Sequence, residues 1–294
     1  MLPESSPNSV LIVGSSSKIG SSLADLLTIN QVPIWLTTRK PDQCNSQNFF
    51  LDLAQPASTW QLPDQPIGTA VICAAITSQK LCEQNYHSTY AVNVTSTIEL
   101  ARLLVNRGVL VVFVSTNLVF DGTVAQIAPD SPKRPKTAYG RQKDLTEQAL
   151  LSFNSPLVSI VRLSKVVDNY FALFHSWIAD LKQGKKIHPF DDLYFAPISL
   201  EITTNLLFKV AHQRVNGIIQ LSATEDISYA DAAYYIANKL SLDTALIKPV
   251  SCHTAGITNQ PKFTTMNTDR LISLGMSPTS PWSTLDTFLT YLNP

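Results

Sequence analysis

The chain has 294 residues, 45% of them hydrophobic and only 15% charged, with a formal net charge of zero. That length holds one large or two modest domains with a sizeable core, and the neutral balance without a basic run excludes a nucleic-acid footprint. Cys44, Cys73, Cys82 and Cys252 show no CxxC or zinc-type spacing, so a reducing compartment and no metal are expected. The opening MLPESSPNSV lacks the basic and apolar regions of a secretory signal. No apolar run approaches the roughly 18 residues of a membrane span. A soluble, cytoplasmic protein without a membrane partner is the expectation.

In chain order, SVLIVG (9–14) reads as a buried strand ending in glycine, and KIGSSLADLLTIN (18–30) has helical spacing of its apolar residues. PIWLTT (33–38), NFFLDL (48–53) and TAVICAA (69–75) read as strands two to four. The spacing predicts a long helix over 88–108, closed by a glycine just past its end. VLVVFVST (109–116) is the most strand-like run in the chain. A Pro-rich polar loop (129–135), a helix carrying Tyr139, and a strand over 157–164 follow. Beyond these, helices are expected over 169–184, 199–213 and 228–240, a short strand over 217–223, and two short helices near 267–274 and 281–292. Continuous apolar strands separated by helices indicate a parallel sheet covered on both faces. The fold class is therefore α/β: a Rossmann-like doubly wound parallel sheet with a smaller interleaved C-terminal region. Residues 1–165 form the dinucleotide-binding domain. Residues 166–294 form mainly the substrate-binding region, with segments around 190–225 returning to the first domain.

The loop GSSSKIG after the first strand offers a dinucleotide fingerprint. Gly14 can supply the tight turn and Gly20 the close helix packing, while Ser17 stands at the middle glycine position. Ser16, Lys18 and Ile19 complete the loop, and the helix starting near Lys18 would aim its N–H groups at a pyrophosphate. A turn with incidental small residues has the same pattern. At the end of strand two, TTRK carries no acid for a ribose 2′-hydroxyl. Arg39, beside Lys40, is placed for a 2′-phosphate, which favours NADP(H) over NAD(H), or else forms a solvated basic turn. Asp52 could reach the adenine or cap a helix next in the chain. Leu53, Ala74, Ala75 and Ser115 join it as expected cofactor-wall residues.

Tyr139 and Lys143 stand four apart in TAYGRQK, so on a helix they share a face. A phenol with its ordinary pKa of ~10 keeps its proton at neutral pH and can donate it to an alkoxide. A neighbouring ammonium stabilises the phenolate; a shift of ~3 units corresponds to about 4 kcal/mol.

GSSSKIG, AVNVTSTIELARLL, STNLVFDG, YGRQK and FAPISLE follow the order and spacing of the extended short-chain dehydrogenases/reductases. The chain resembles dTDP-4-dehydrorhamnose reductase and related sugar-nucleotide reductases over nearly its whole length, including QPKFTTMNTDRLISLGMS near the C-terminus. The resemblance implies NADP-dependent reduction of a keto group on a nucleotide-linked sugar. Tyr139 would be the proton donor, Lys143 its tuning ammonium and ribose ligand, and Thr116 the catalytic hydroxyl next to Ser115. It matches Asn93 to a position that supports the lysine; a polar helix residue facing a neighbouring loop is the alternative reading. Asn117, Lys165, Asp192, Tyr194 and Lys262 fall where the family places its substrate cleft. Glu83 and Asp121 have either a cleft or a turn role. The five histidines show no ligand spacing.

Where the family usually reads STDYVFDG, this chain has Asn117 and Leu118. Those two cannot do the acid/base work of the related dehydratases. Gln260 and Phe263 replace a usual Arg and Asn, which leaves the sugar open. A sugar-nucleotide epimerase of the same family, and a non-catalytic NADP-binding regulatory subunit like the methionine adenosyltransferase β subunit, are the alternatives. Self-association as a homodimer is left open.

Overall fold

A computed structural model describes residues 9–257 and 261–292. The elements in chain order are β1 (Val10–Val13), α1 (Lys18–Ile29), β2 (Ile34–Thr38), β3 (Asn48–Phe50), β4 (Thr69–Ile72), α2 (Gln79–Gln84), α3 (Tyr86–Tyr90), α4 (Thr97–Asn106), β5 (Leu110–Thr116), α5 (Ala138–Leu151) and β6 (Val158–Leu163). They continue with β7 (Lys165–Val167), α6 (Ala172–Lys182), β8 (Tyr194–Phe195), β9 (Pro197–Ser199), α7 (Leu200–His212), β10 (Gly217–Leu221), β11 (Ile227–Ser228), α8 (Tyr229–Lys239), α9 (Asp269–Ser273) and α10 (Pro281–Thr290). No helix among the described residues is long and apolar enough to cross a membrane.

Contacts divide the chain into two compact units. The first comprises residues up to Val119, Thr137–Arg162 and Glu201–Ile219; the second comprises Phe120–Lys136, Leu163–Leu200 and the chain from Gln220 onward. The first is built on a seven-stranded parallel sheet of order β10-β6-β5-β4-β1-β2-β3. The order reverses between β1 and β4, and such a switch point opens a crevice at the carboxyl ends of the strands. Every residue of β1, β4, β5 and β6 is buried, as expected for strands covered on both faces. Leu11, Ile72, Leu100, Leu104, Phe113 and Ile160 belong to the core that joins this sheet to its helices.

The sequence predicts one helix over 88–108. The structure divides it, with a π-helical turn over Ala91–Ser96 between α3 and α4. Such a turn has i→i+5 bonds and occurs singly inside a longer helix, too short to set a period of its own that the sequence would show.

The second unit gathers three segments around a core that includes Phe174, Trp177, Phe195, Ile236 and Phe288. Within its last segment, the Asp226 carboxylate accepts from the Thr264 N–H and hydroxyl (both 2.7 Å) and from the Thr265 hydroxyl (2.8 Å). Gly122 (φ +69°) lies so close to Pro261 that an added Cβ would stand 2.1 Å from the proline Cβ. The VFDG motif and the C-terminal PKFTT stretch are therefore packing partners. Gln260 lies outside the described residues.

Candidate active site

Gly14 ends β1 with φ +85°, and a Cβ there would sit 2.8 Å from both Cα and N of Ala74. Only glycine allows the strand end to pass this close to β4. Gly20 answers a different need: its Cβ would stand 2.4 Å from the Gly14 carbonyl oxygen. Ser17 has an ordinary backbone (φ −75°, ψ 157°) and caps α1, its hydroxyl oxygen accepting the Gly20 N–H at 3.0 Å. The middle position therefore needs no left-handed residue, and the serine proton remains available for an outward bond. Ser15 is fastened to the Thr37 carbonyl and Gly14 N–H to the Thr37 hydroxyl, while Ser16 and Lys18 are exposed and Ile19 is half-buried. The result is a rigid loop at a helix N-terminus, beside the half-buried Ala74 and Ala75 at the end of β4. Arrays of this kind accept phosphate.

Arg39 is exposed just past β2. The Asp52 carboxylate accepts the Ala54 N–H at 3.0 Å and its carbonyl accepts the indole N–H of Trp60 at 2.8 Å, so Asp52 shapes the turn after β3. Leu53 is buried in the core of the first unit.

Helix α5 starts under two caps. The Thr137 hydroxyl accepts the Gly140 N–H at 3.0 Å, and the Glu83 carboxylate, reaching over from α2, accepts the Ala138 N–H at 2.6 Å. These hold Tyr139 at the second residue of the helix. Tyr139 is half-buried, and burial pushes its phenol well above the ordinary range, so it keeps its proton. One turn on, Lys143 is 3% exposed and its ammonium donates to the Val114 carbonyl at 2.7 Å. It lies 4.3 Å from the centroid of the Phe113 ring and 5.9 Å from that of Tyr139. Burial lowers the Lys143 pKa to about 8, while Glu147 first and then Cys73 and Cys82 pull it back up. The Cys73 thiol, pushed up to about 12 by burial, stays neutral.

Asn93 sits in the π-helical turn and is buried. Its amide oxygen accepts the Ile76 N–H (2.8 Å), and its amide nitrogen donates to the Ile76 carbonyl (2.9 Å) and to Gln142 (2.8 Å). Gln142 in turn donates to Thr89 at 2.9 Å, and the Thr146 hydroxyl donates to the Asn93 carbonyl at 2.9 Å. Asn93 thus locks the loop after β4 to α5 instead of bonding Lys143 directly.

Thr116 closes β5 and is 8% exposed; its hydroxyl donates to Asn117 at 3.3 Å and accepts the Leu118 N–H at 3.2 Å. The Ser115 hydroxyl donates to Glu147 at 2.6 Å. The remaining expected substrate residues belong to the second unit. Lys165 starts β7 with its ammonium 5.4 Å from the Phe171 ring centroid, Tyr194 starts β8, and Lys262 lies 5.3 Å from the Phe263 ring centroid. Asp192 accepts the Cys252 N–H (2.6 Å) and the Ser251 hydroxyl (2.5 Å), bonds that lower its pKa to about 2. Asp192, Cys252 and His253 bring ligand-type atoms within 4.8 Å of one another, but those two bonds already account for the acid as a loop clamp. Asp121 accepts the Thr123 N–H and hydroxyl, which is a turn role.

The model of the RmlD substrate binding domain matches residues 8–292. The chain belongs to that family. A dTDP-4-keto-6-deoxy-D-glucose reductase of Streptomyces niveus is 26% identical over 279 residues, 93% of either chain. The methionine adenosyltransferase 2 subunit beta of Xenopus laevis is 22% identical over 223 residues, 71% of this chain and 66% of that one. Among solved structures, a dTDP-4-dehydrorhamnose reductase of Bacillus anthracis in complex with NADP has a TM-score of 0.82 at 21% identity, covering 96% of this chain and 99% of that one. MoeE5 in complex with UDP-glucose and NAD has a TM-score of 0.79 at 19% identity, covering 97% and 98%. At those identities the two structures establish the fold.

Within this candidate site, Gln142, Glu147 and Arg162 are not among the residues the sequence pointed to. Two signals were present: an acid one helical turn beyond Lys143, and an arginine inside the apolar strand run LVSIVRLS.

Proposed function

We propose that the protein is a reductase of a keto group on a nucleotide-linked sugar, with a nicotinamide cofactor, NADP(H) in preference to NAD(H). The observation that carries this reading is a protonated, half-buried Tyr139 one helical turn from a buried lysine whose ammonium is held on the strand that ends in Thr116. A nicotinamide cofactor, when bound, would supply the hydride. Tyr139 gives its proton to the alkoxide oxygen that forms, and the Lys143 ammonium lowers the cost of the phenolate left behind. The Thr116 hydroxyl orients the carbonyl, and the capped start of α5 keeps the phenol in place so that little reorganisation accompanies proton transfer.

The cradle at Gly14, which a Cβ would fill, and the serine-capped N-terminus of α1 support dinucleotide binding. Arg39 supports NADP: it is exposed, and TTRK carries no acid to receive a ribose hydroxyl. The sugar-nucleotide relatives support the substrate class. Asn117 and Leu118 leave no carboxylate for elimination, which favours reduction over dehydration.

The test is consumption of NADPH with dTDP- and UDP-linked 4-keto sugars. Tyr139→Phe is expected to leave NADPH binding within about twofold and to lower kcat roughly 10²–10⁴-fold, the range for a lost general acid. Undiminished turnover in that variant refutes the mechanism. A wild-type protein that binds NADPH and turns over no keto sugar favours a non-catalytic role, as a relationship to an adenosyltransferase subunit would allow.

A further inference from the structure

Helix α5 carries Tyr139, Lys143 and Glu147 at successive fourth positions, so the three form one stripe on one face. The last member is the most deeply placed. Glu147 is 0% exposed and Arg162, on β6, is 1% exposed. The guanidinium holds the carboxylate in a forked grip, Nε to Oε1 at 3.0 Å and Nη2 to Oε2 at 2.7 Å. The Ser115 hydroxyl adds a third bond to Oε1 at 2.6 Å. This pair joins the helix of the candidate proton donor to both strands beneath it.

Stability is a weak reason for such a pair. Two charges taken this far from water lose hydration that their attraction repays at best, and an apolar pair of the same volume is often as stable or more so. The neighbour that benefits is Lys143. The groups that act on its ammonium are the Cys73 thiol at the end of β4, the Cys82 thiol on α2, the Tyr139 phenol and the Glu147 carboxylate on its own helix; Arg162 lies behind Glu147 on β6. The thiols and the phenol are all pushed toward their neutral forms by burial. Glu147 is therefore the negative charge that offsets the desolvation of Lys143, and Arg162 limits how strongly it does so.

We propose that Glu147, set by Arg162 and Ser115, is a positioning residue that keeps Lys143 charged and in register on the sheet at working pH. The proposal rests on the reductase reading for its purpose, but not for its test. Lysine-labelled protein gives an NMR titration of the Lys143 side chain in the full chain without substrate or cofactor, assigned by its loss in Lys143→Met. The wild-type midpoint is expected near 8, where burial and Glu147 balance. Glu147→Gln removes the carboxylate and leaves the guanidinium, and should move the midpoint down by roughly 1–3 units, the effect of an opposite charge nearby. Arg162→Gln should move it up. Opposite shifts from the two halves of one ion pair are not produced by a purely structural bridge, which changes melting temperature alone.

If Glu147→Gln does not fold, the Arg162→Gln shift decides by itself. A midpoint that stays within a few tenths of a unit in the folded variants, or moves the same way in both, overturns the proposal. Failure of the keto-sugar assay with the titration as expected would overturn the reductase reading and leave the charge assignment intact.

Discussion

Replacing Gly14 by alanine tests whether the loop after β1 is a built phosphate cradle. The substitution carries two costs. The residue has φ +85°, a conformation worth about 1–2 kcal/mol against any L side chain. The new methyl would also stand 2.8 Å from Cα and N of Ala74, backbone atoms of the neighbouring strand's end that cannot swing aside. Overpacking of this kind costs about 1–3 kcal/mol. The sum is roughly 2–5 kcal/mol, and at about 2–4 °C per kcal/mol for a large domain the melting temperature should fall by roughly 4–20 °C. Urea unfolding measures the free energy, and NADPH fluorescence titration on the folded protein measures the cradle. Ser17→Gly is the control: its backbone is ordinary, so it loses only a few tenths of a kcal/mol of cap and should bind NADPH at least as well as the wild type. A Gly14→Ala protein within about 0.5 kcal/mol of wild type, with unchanged binding, would refute the argument from close approach.

Arg39→Ala should weaken NADPH by about 10–100-fold, the worth of a charge-assisted bond, and leave NADH within about twofold; isothermal titration with both nucleotides checks this. Asn93→Ala strands the Ile76 N–H and carbonyl and the Gln142 side chain, so a loss of ~2–4 kcal/mol in urea unfolding is expected, with faster hydrogen exchange at Ile76; a loss below ~1 kcal/mol would contradict the locking role. Lys143 binds its proton less tightly when folded, with a pKa of about 8 against an ordinary 10.5. The unfolded chain thus holds more protons between those values, and this group's contribution to stability rises with pH across that window by up to ~3 kcal/mol. Lys143→Met should abolish that rise, read as the difference between the two proteins' unfolding free energies at pH 7.5 and pH 10.

The strands and long helices were legible because burial on both sheet faces leaves unbroken apolar runs, and helices covering it leave a 3.6-residue stripe. Gly14, Gly20 and the Tyr139–Lys143 pair were legible because each depends on local backbone geometry or on one helical turn. The π-helical turn was not, since a single turn is too short to set a period of its own. Nor was the second cap on α5, which Glu83 supplies from 55 positions upstream, or the inward turn of the Ser115 hydroxyl toward Glu147. Periodicity says which face a residue occupies, not which atom meets it there. Hydrogen bonds and ion pairs between distant segments depend on tenths of an ångström and exist only once the sheet is assembled. The sequence alone therefore determined the sheet, its glycine turn and the residue pair on α5. The tertiary structure decided how Asn93, Ser115, Glu147 and Arg162 hold that pair, because a buried polar group finds its partner only across the packed core.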